Sequence, residues 1–147
     1  MKTKYRIDLT REQLNVVQQA LEFMSRFQAG QVTDFTPNFS DWLISEHMKT
    51  NDYAERRDMW EEHLYKAKEY LFNNLNKYES FGIGSKEQPE ENKIAYDIYR
   101  PILELFHEEY HNENPDLPKY YSVYGHPGLT YSNEGRIKIT KISDETI

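Results

Sequence analysis

The run Glu79-Ser-Phe-Gly-Ile-Gly-Ser85 sets one aromatic ring among two glycines and two hydroxyls. Backbone N–H groups, hydroxyls and a ring face gathered in one turn suit an anionic ligand that carries a flat base. Read as residues alone, the same run is more simply a connecting loop whose glycines supply positive φ. Gly82-x-Gly84 lacks the third glycine and the preceding strand of a dinucleotide fingerprint, and no Walker lysine follows it.

Catalytic and metal chemistry find less support. His107 and His111 lie four apart, with Glu104 three residues before His107, which is ligand spacing on one helix face. A di-iron bundle needs a second Glu-x-x-His, and Glu61-Glu62-His63 does not have that spacing. Polar residues and histidines at a helix C-terminus account for the cluster without metal. The chain has no cysteine, so it has no disulfide, no thiolate site and no Cys nucleophile. It has no Gly-x-Ser-x-Gly either. The pairs Glu61-Glu62, Glu90-Glu91 and Glu108-Glu109 are adjacent in sequence, so each splits between helix faces and reads as solvated surface. The expectation is a non-enzymatic protein with no metal and no cofactor.

These residues must be positioned by a chain of 147 residues, the size of a single domain spanning 1–147. A domain of that size buries roughly 70% of its unfolded surface. Aromatic residues make up 14% of the chain, with 12 Tyr, which suits wet interfaces and ligand walls as well as cores. A net charge of −7 argues against long nucleic acid as a partner but leaves room for a small anion held by a few local cations. No apolar run is long enough for a bilayer and no signal-peptide pattern opens the chain, so a soluble cytoplasmic protein with no membrane partner is expected.

Tyr5, Ile7 and Leu9 alternate with charged residues and predict a short strand. Thr10 and Gln13 predict a capping box, opening a helix that closes at Gly30. Its apolar residues form two stripes, Leu14, Val17, Leu21, Met24 and Val16, Ala20, Phe23, Phe27. That arc is wider than one core contact needs, so one edge fits a subunit interface. Arg26 falls opposite it. Gln31 to Asn51 reads as irregular, with a short helix opening near Ser40. A second helix starts near Asp52, carries the stripe Trp60, Leu64, Ala67, Leu71, and ends before Asn73. A third starts at Pro89-Glu90-Glu91, carries Ile94, Ile98, Ile102 and Leu105, kinks at Pro101 and dissolves by Pro115. Tyr120, Tyr121 and Tyr124 precede a Gly125-His-Pro-Gly turn. Leu129–Ser132 and Arg136–Ile142 then read as a hairpin. The predicted class is α+β, with three main helices packed on a small antiparallel sheet made by the N-terminal strand and the C-terminal hairpin.

Leu9-Thr10, Ser25-Arg26, Gly30-Gln31, Ser80-Phe81-Gly82-Ile83-Gly84-Ser85 and Ala95-Tyr96-Asp97 follow one another along two-thirds of the chain. In order and spacing they resemble a family of small tailed-bacteriophage proteins. That family overlaps anti-CBASS sponges, phage immune-evasion proteins that sequester cyclic-nucleotide alarm signals. The resemblance implies that Arg26 and Arg100 hold phosphates as planar forks. Phe81 or a tyrosine such as Tyr99 would stack a base, at about 1–3 kcal/mol. Gln31, Ser80, Ile83, Ser85 and the Gly82 to Gly84 amides would complete the set; Arg136 and Lys138, in a region that departs from the family pattern, would add charge. The implied ligand is a small anionic nucleotide, a cyclic dinucleotide such as cGAMP, held uncleaved in the cytoplasm of an infected bacterium. A pocket shared by identical subunits would match its approximate two-fold symmetry, so a homo-oligomer, dimer or tetramer, is expected.

Two other functions stay open at this stage. One is an acidic protein-binding inhibitor that imitates nucleic acid against a host defence protein, although 18 Lys and Arg are interspersed among the acids. The other is a structural or assembly phage protein with no small ligand. A metal-dependent hydrolase resting on His107 and His111 comes after both.

Overall fold

The computed structural model describes residues 3–33, 52–116 and 128–142. The expected helix opening near Ser40, and the tyrosines and turn between Tyr120 and Pro127, lie outside the described residues. Three helices are present among them: α1 (Arg11–Gln28), α2 (Tyr53–Leu71) and α3 (Glu90–Glu113).

Both ends of α1 form for local reasons. The Thr10 hydroxyl accepts the Gln13 N–H at 3.2 Å, and the Gln13 side-chain oxygen accepts the Thr10 N–H at 2.9 Å. This is the capping box that the sequence predicts. At the other end Gly30 takes a φ of 83°. The Gly30 N–H bonds the Phe27 carbonyl at 3.0 Å and the Gln31 N–H bonds the Arg26 carbonyl at 2.9 Å. That pair of bonds is a Schellman motif, which satisfies two end carbonyls and turns the chain back beside the helix.

α1 packs on α3. The contact is polar on the α1 side, where Gln18 and Ser25 are the buried residues. On α3 the buried line runs Asn92, Ala95, Tyr99, Ile102, spaced by three and four residues. It lies beside the predicted isoleucine stripe and shares only Ile102 with it; Ile94 and Ile98 are half-buried. α3 continues through Pro101 without ending.

The α+β expectation is overturned: among the described residues there is no β-strand, and the described fold is all-helical. The backbone donors of the expected hairpin go elsewhere. Tyr131 and Ser132 donate their N–H groups to the Asp97 carboxylate at 3.1 and 2.7 Å. Asn133 donates its N–H to Glu90 at 2.5 Å. Ile137 donates to the Asp97 carbonyl at 3.4 Å. That carbonyl is available because Pro101, four residues on, has no N–H to give it. The segment therefore docks on α3 through side chains and one freed carbonyl instead of pairing as a ladder. At the N-terminus Tyr5 and Ile7 are 87% and 75% exposed, so the alternation there faces no sheet. Three alternating residues cannot make a strand without a partner to pack on.

The expected core stripe of α2 is also displaced. Trp60 and Leu71 are 42% and 60% exposed, while Lys68 is buried. The Lys68 ammonium donates to the carbonyls of Lys77 and Glu79 at 3.2 and 2.5 Å. Burying a cation is costly unless its donors are met, and two carbonyls of the following loop meet them here. The inward face of α2 is thus set by the loop it anchors.

Candidate functional site

The Schellman turn is what builds the candidate site. It brings Gln31 back over the last turn of α1, where Arg26 Nη1 donates to Gln31 Oε1 at 3.1 Å. Gln31 Nε2 in turn reaches Ser80 Oγ at 3.4 Å. Residues far apart in sequence, Arg26, Gln31 and Ser80, are therefore joined in one chain of hydrogen bonds.

The Ser80–Ser85 turn is pinned by a second circuit. The Phe81 N–H donates to the Ala29 carbonyl at 2.8 Å. The Phe81 carbonyl accepts from Gln88 Nε2 at 3.1 Å. Gln88 Oε1 accepts from Asn92 Nδ2. The same Asn92 nitrogen lies 3.3 Å from the Ser25 carbonyl. Asn92 is fully buried. The loop, the start of α3 and the end of α1 are thereby closed into one ring. Phe81 is half-buried and tilts against Phe72 at 6.5 Å, so the ring supports its loop as well as being available at its rim.

The glycines of this turn do not serve as the simpler sequence reading holds. Neither Gly82 nor Gly84 has positive φ. A Cβ on Gly82 would meet nothing within 4 Å, whereas one on Gly84 would touch the Tyr131 ring at 3.5 Å. Gly84 is thus where the turn approaches the docked C-terminal segment, and Gly82 is open. The Ser85 N–H is committed to the Gly82 carbonyl at 2.9 Å. The Ser85 hydroxyl donates to Glu87, and this bond, with the Glu87 N–H, holds that exposed carboxyl below its ordinary range. Ser85 is therefore not joined to the Arg26 chain. Ile83 is half-buried in the same turn.

Tyr99 and Arg100 lie on α3 and are both buried. Burial pushes the Tyr99 phenol well above its ordinary value; the Glu22 carboxylate adds to the rise, and Arg26 and Arg100 oppose it. That balance places Tyr99 in the field of both arginines. The Arg100 guanidinium lies 5.6 Å from the Tyr96 ring centre. Of the two carboxylates nearest in sequence, Asp97 holds Tyr131 and Ser132, and one oxygen of Glu104 binds Arg136.

Arg136 stands at the other end of this arc. It donates to the Glu104 carboxylate and to the Leu129 carbonyl at 3.4 Å, and so closes the C-terminal segment against α3. Neither bond reaches the Arg26 chain; burial raises the Tyr96 phenol, and Arg100 and Arg136 both oppose that rise. Lys138 is exposed. Glu104 is thus engaged by an arginine, His107 is exposed, and among the described residues no three His, Asp or Glu side chains converge as metal ligands.

Compared with protein-family models, with curated proteins and with solved structures, the chain matches none. The site therefore rests on its own geometry. That geometry includes residues which the sequence reading passed over. Glu22 accepts Arg26 Nε at 2.9 Å on one oxygen and Gln18 Nε2 at 2.5 Å on the other. Gln18, Glu22 and Ser25 recur at spacings of four and three along α1, a polar stripe on the face away from the apolar arc. That spacing puts them on one helix face, but in the sequence such a polar face reads as solvated surface. Asn92, Gln88 and Lys68 carry no comparable local signal. Among the described residues no helix is long and apolar enough to cross a membrane.

Proposed function

We propose that this chain is a phage-type binding protein that captures a small anionic nucleotide, a cyclic dinucleotide such as cGAMP, and holds it without cleaving it. The observation that carries the reading is the Arg26–Gln31–Ser80 chain beside the docked Phe81 turn. An arginine fork, an amide, a hydroxyl and a ring are the chemical types that a phosphate and a base require. Tyr99 and Arg100 supply a second ring and a second cation on the facing helix. Arg136 belongs to this reading only as added charge at the far end. The order of motifs that resembles the phage family supports the same reading, under which the protein would work in the cytoplasm of an infected bacterium.

The protein would act as a homo-oligomer. α1 leaves Val16 64% and Phe23 38% exposed, on the apolar edge that the sequence assigns to a subunit contact. Contiguous apolar surface of this kind is a usual mark of association.

The test is retention. The protein is incubated with a panel of cyclic nucleotides, separated from free ligand and denatured, and the released material is identified. Intact cyclic dinucleotide is expected. Release of a hydrolysed product makes the protein an enzyme; no retention of any nucleotide removes the reading. Arg26→Ala should weaken the binding about ten- to a hundredfold, the loss of a charge-assisted bond, with little change in melting.

A further inference from the structure

We propose that Glu22 is an internal competitor for the anion seat at Arg26, so that the wild-type protein binds phosphate-bearing ligands more weakly than its cations alone would allow. The inference rests on the nucleotide-binding reading above and adds a residue that sets its affinity and selectivity.

The geometry around the Glu22 carboxylate is that of a bound anion. One oxygen takes the Arg26 Nε–H at 2.9 Å and the other takes an N–H of the Gln18 side chain at 2.5 Å. The guanidinium edge that offers Nε is one that a phosphate would take bidentately. Its Nη1 is already turned to Gln31. Glu22 and Arg26 keep only 25% and 36% of their side-chain surface exposed, so the pair sits at the mouth of the polar α1–α3 seam, partly sheltered from water. Tyr99, buried across the seam, lies in the field of the same two groups.

A carboxylate and a phosphate cannot both hold that edge. An incoming dianion must displace Glu22 or share the guanidinium with it, and either costs binding energy through a broken ion pair or like-charge repulsion. A neutral or singly charged ligand meets less of this cost. Glu22 thereby raises the number of simultaneous contacts a ligand must make before it is held, and favours a two-phosphate molecule that also engages Arg100 and a ring over free phosphate.

The alternative is an ordinary surface pair four residues apart on a helix, worth little and without effect on ligands. The two are separated by titrating wild-type protein, Glu22→Gln and Glu22→Ala with cGAMP and with inorganic pyrophosphate, while melting is followed alongside. Glu22→Gln keeps an acceptor for Gln18 and is the variant that best preserves packing; Glu22→Ala removes the competitor altogether. The expected result is about fivefold tighter cGAMP binding in Glu22→Gln, about 1 kcal/mol at 1.4 kcal/mol per tenfold, with a larger relative gain for pyrophosphate. Equal or weaker binding in both folded variants, with wild-type binding intact, overturns the role of Glu22 and leaves the nucleotide reading standing. If neither wild-type protein nor either variant binds cGAMP or pyrophosphate, both inferences fall.

Discussion

Asp97→Ala should detach the C-terminal segment from α3. The side chain is buried, at 1% exposure, and its carboxylate accepts the N–H groups of Tyr131 and Ser132 and the Ser132 hydroxyl at 2.7 Å. Bonds to a charged acceptor are worth about 1.5–3 kcal/mol each on mutational scales. They do not add here, because the freed donors lie on a half-buried segment that can swing out and find water. The expected loss is about 3 kcal/mol, or roughly 10 °C in melting temperature. The discriminating assay is amide hydrogen exchange. Tyr131 and Ser132 should exchange on the order of a hundredfold faster in Asp97→Ala, while the middle of α1 changes little. Pro101→Ala is the companion. It restores an N–H four residues after Asp97, which then competes with Ile137 for the Asp97 carbonyl. Removing an interior proline favours the helix by up to about 3 kcal/mol, whereas the long Ile137 bond is worth about 1 kcal/mol or less. Pro101→Ala should therefore melt higher yet exchange faster at Ile137 alone. If the Tyr131 and Ser132 amides keep wild-type protection in Asp97→Ala, the carboxylate is not what holds the segment and the reasoning fails.

Two further outcomes follow from single residues. Gly30→Ala should cost about 2 kcal/mol, because φ of 83° is strained for any residue with a Cβ, and that Cβ would fall 2.6 Å from Leu75 Cδ1, a side-chain end that must rotate away; unchanged denaturant midpoints would remove the Schellman turn as the element that positions Gln31. Tyr99→Phe should flatten alkaline unfolding. The folded phenol is raised above its unfolded value near 10, so its contribution is complete below pH ~10 and lost above it, at about 1.4 kcal/mol per pH unit. Tyr96 shifts in the same direction, so the substitution removes only part of the slope. Matching alkaline midpoints for the two proteins would show that Tyr99 ionises without cost.

What was readable in the sequence was what forms locally. Thr10 and Gln13 are three residues apart and make their box from their own side chains and N–H groups. Gly30 ends α1 because no other residue takes that φ cheaply. Pro89 caps α3, with Glu90 and Glu91 in its first turn. Each needs no distant partner. The failures all involve one. Lys68 points inward because carbonyls at Lys77 and Glu79 await it, and no stripe on α2 announces them. The C-terminal residues alternate as a strand does, but Asp97 outcompetes a neighbouring strand for their N–H groups, and only the packed structure reveals that acceptor.

The site shows the same division, and the division explains its chemistry. Arg26 and Gln31 are singled out by the Ser25-Arg26 and Gly30-Gln31 pairs of the resemblance, and the Schellman turn returns the chain so that the two meet within five residues. Ser80 meets Gln31 directly, and its loop is held there by the circuit of Phe81, Gln88, Asn92 and Ser25, which closes three segments at once. Glu22 was invisible for the opposite reason: a glutamate four residues before an arginine on a helix looks like surface solubilisation. Its meaning changes when Gln18 takes the second oxygen and the pair comes close enough to act on the buried Tyr99 phenol. The carboxylate is then partly sheltered, with one hydrogen bond to each oxygen. If Arg26 holds the proposed ligand, the Glu22 carboxylate already seated on it is what that ligand must displace. On the proposed reading, affinity at Arg26 would depend on displacing Glu22, and a change at Glu22 should alter it as directly as a change in the ligand.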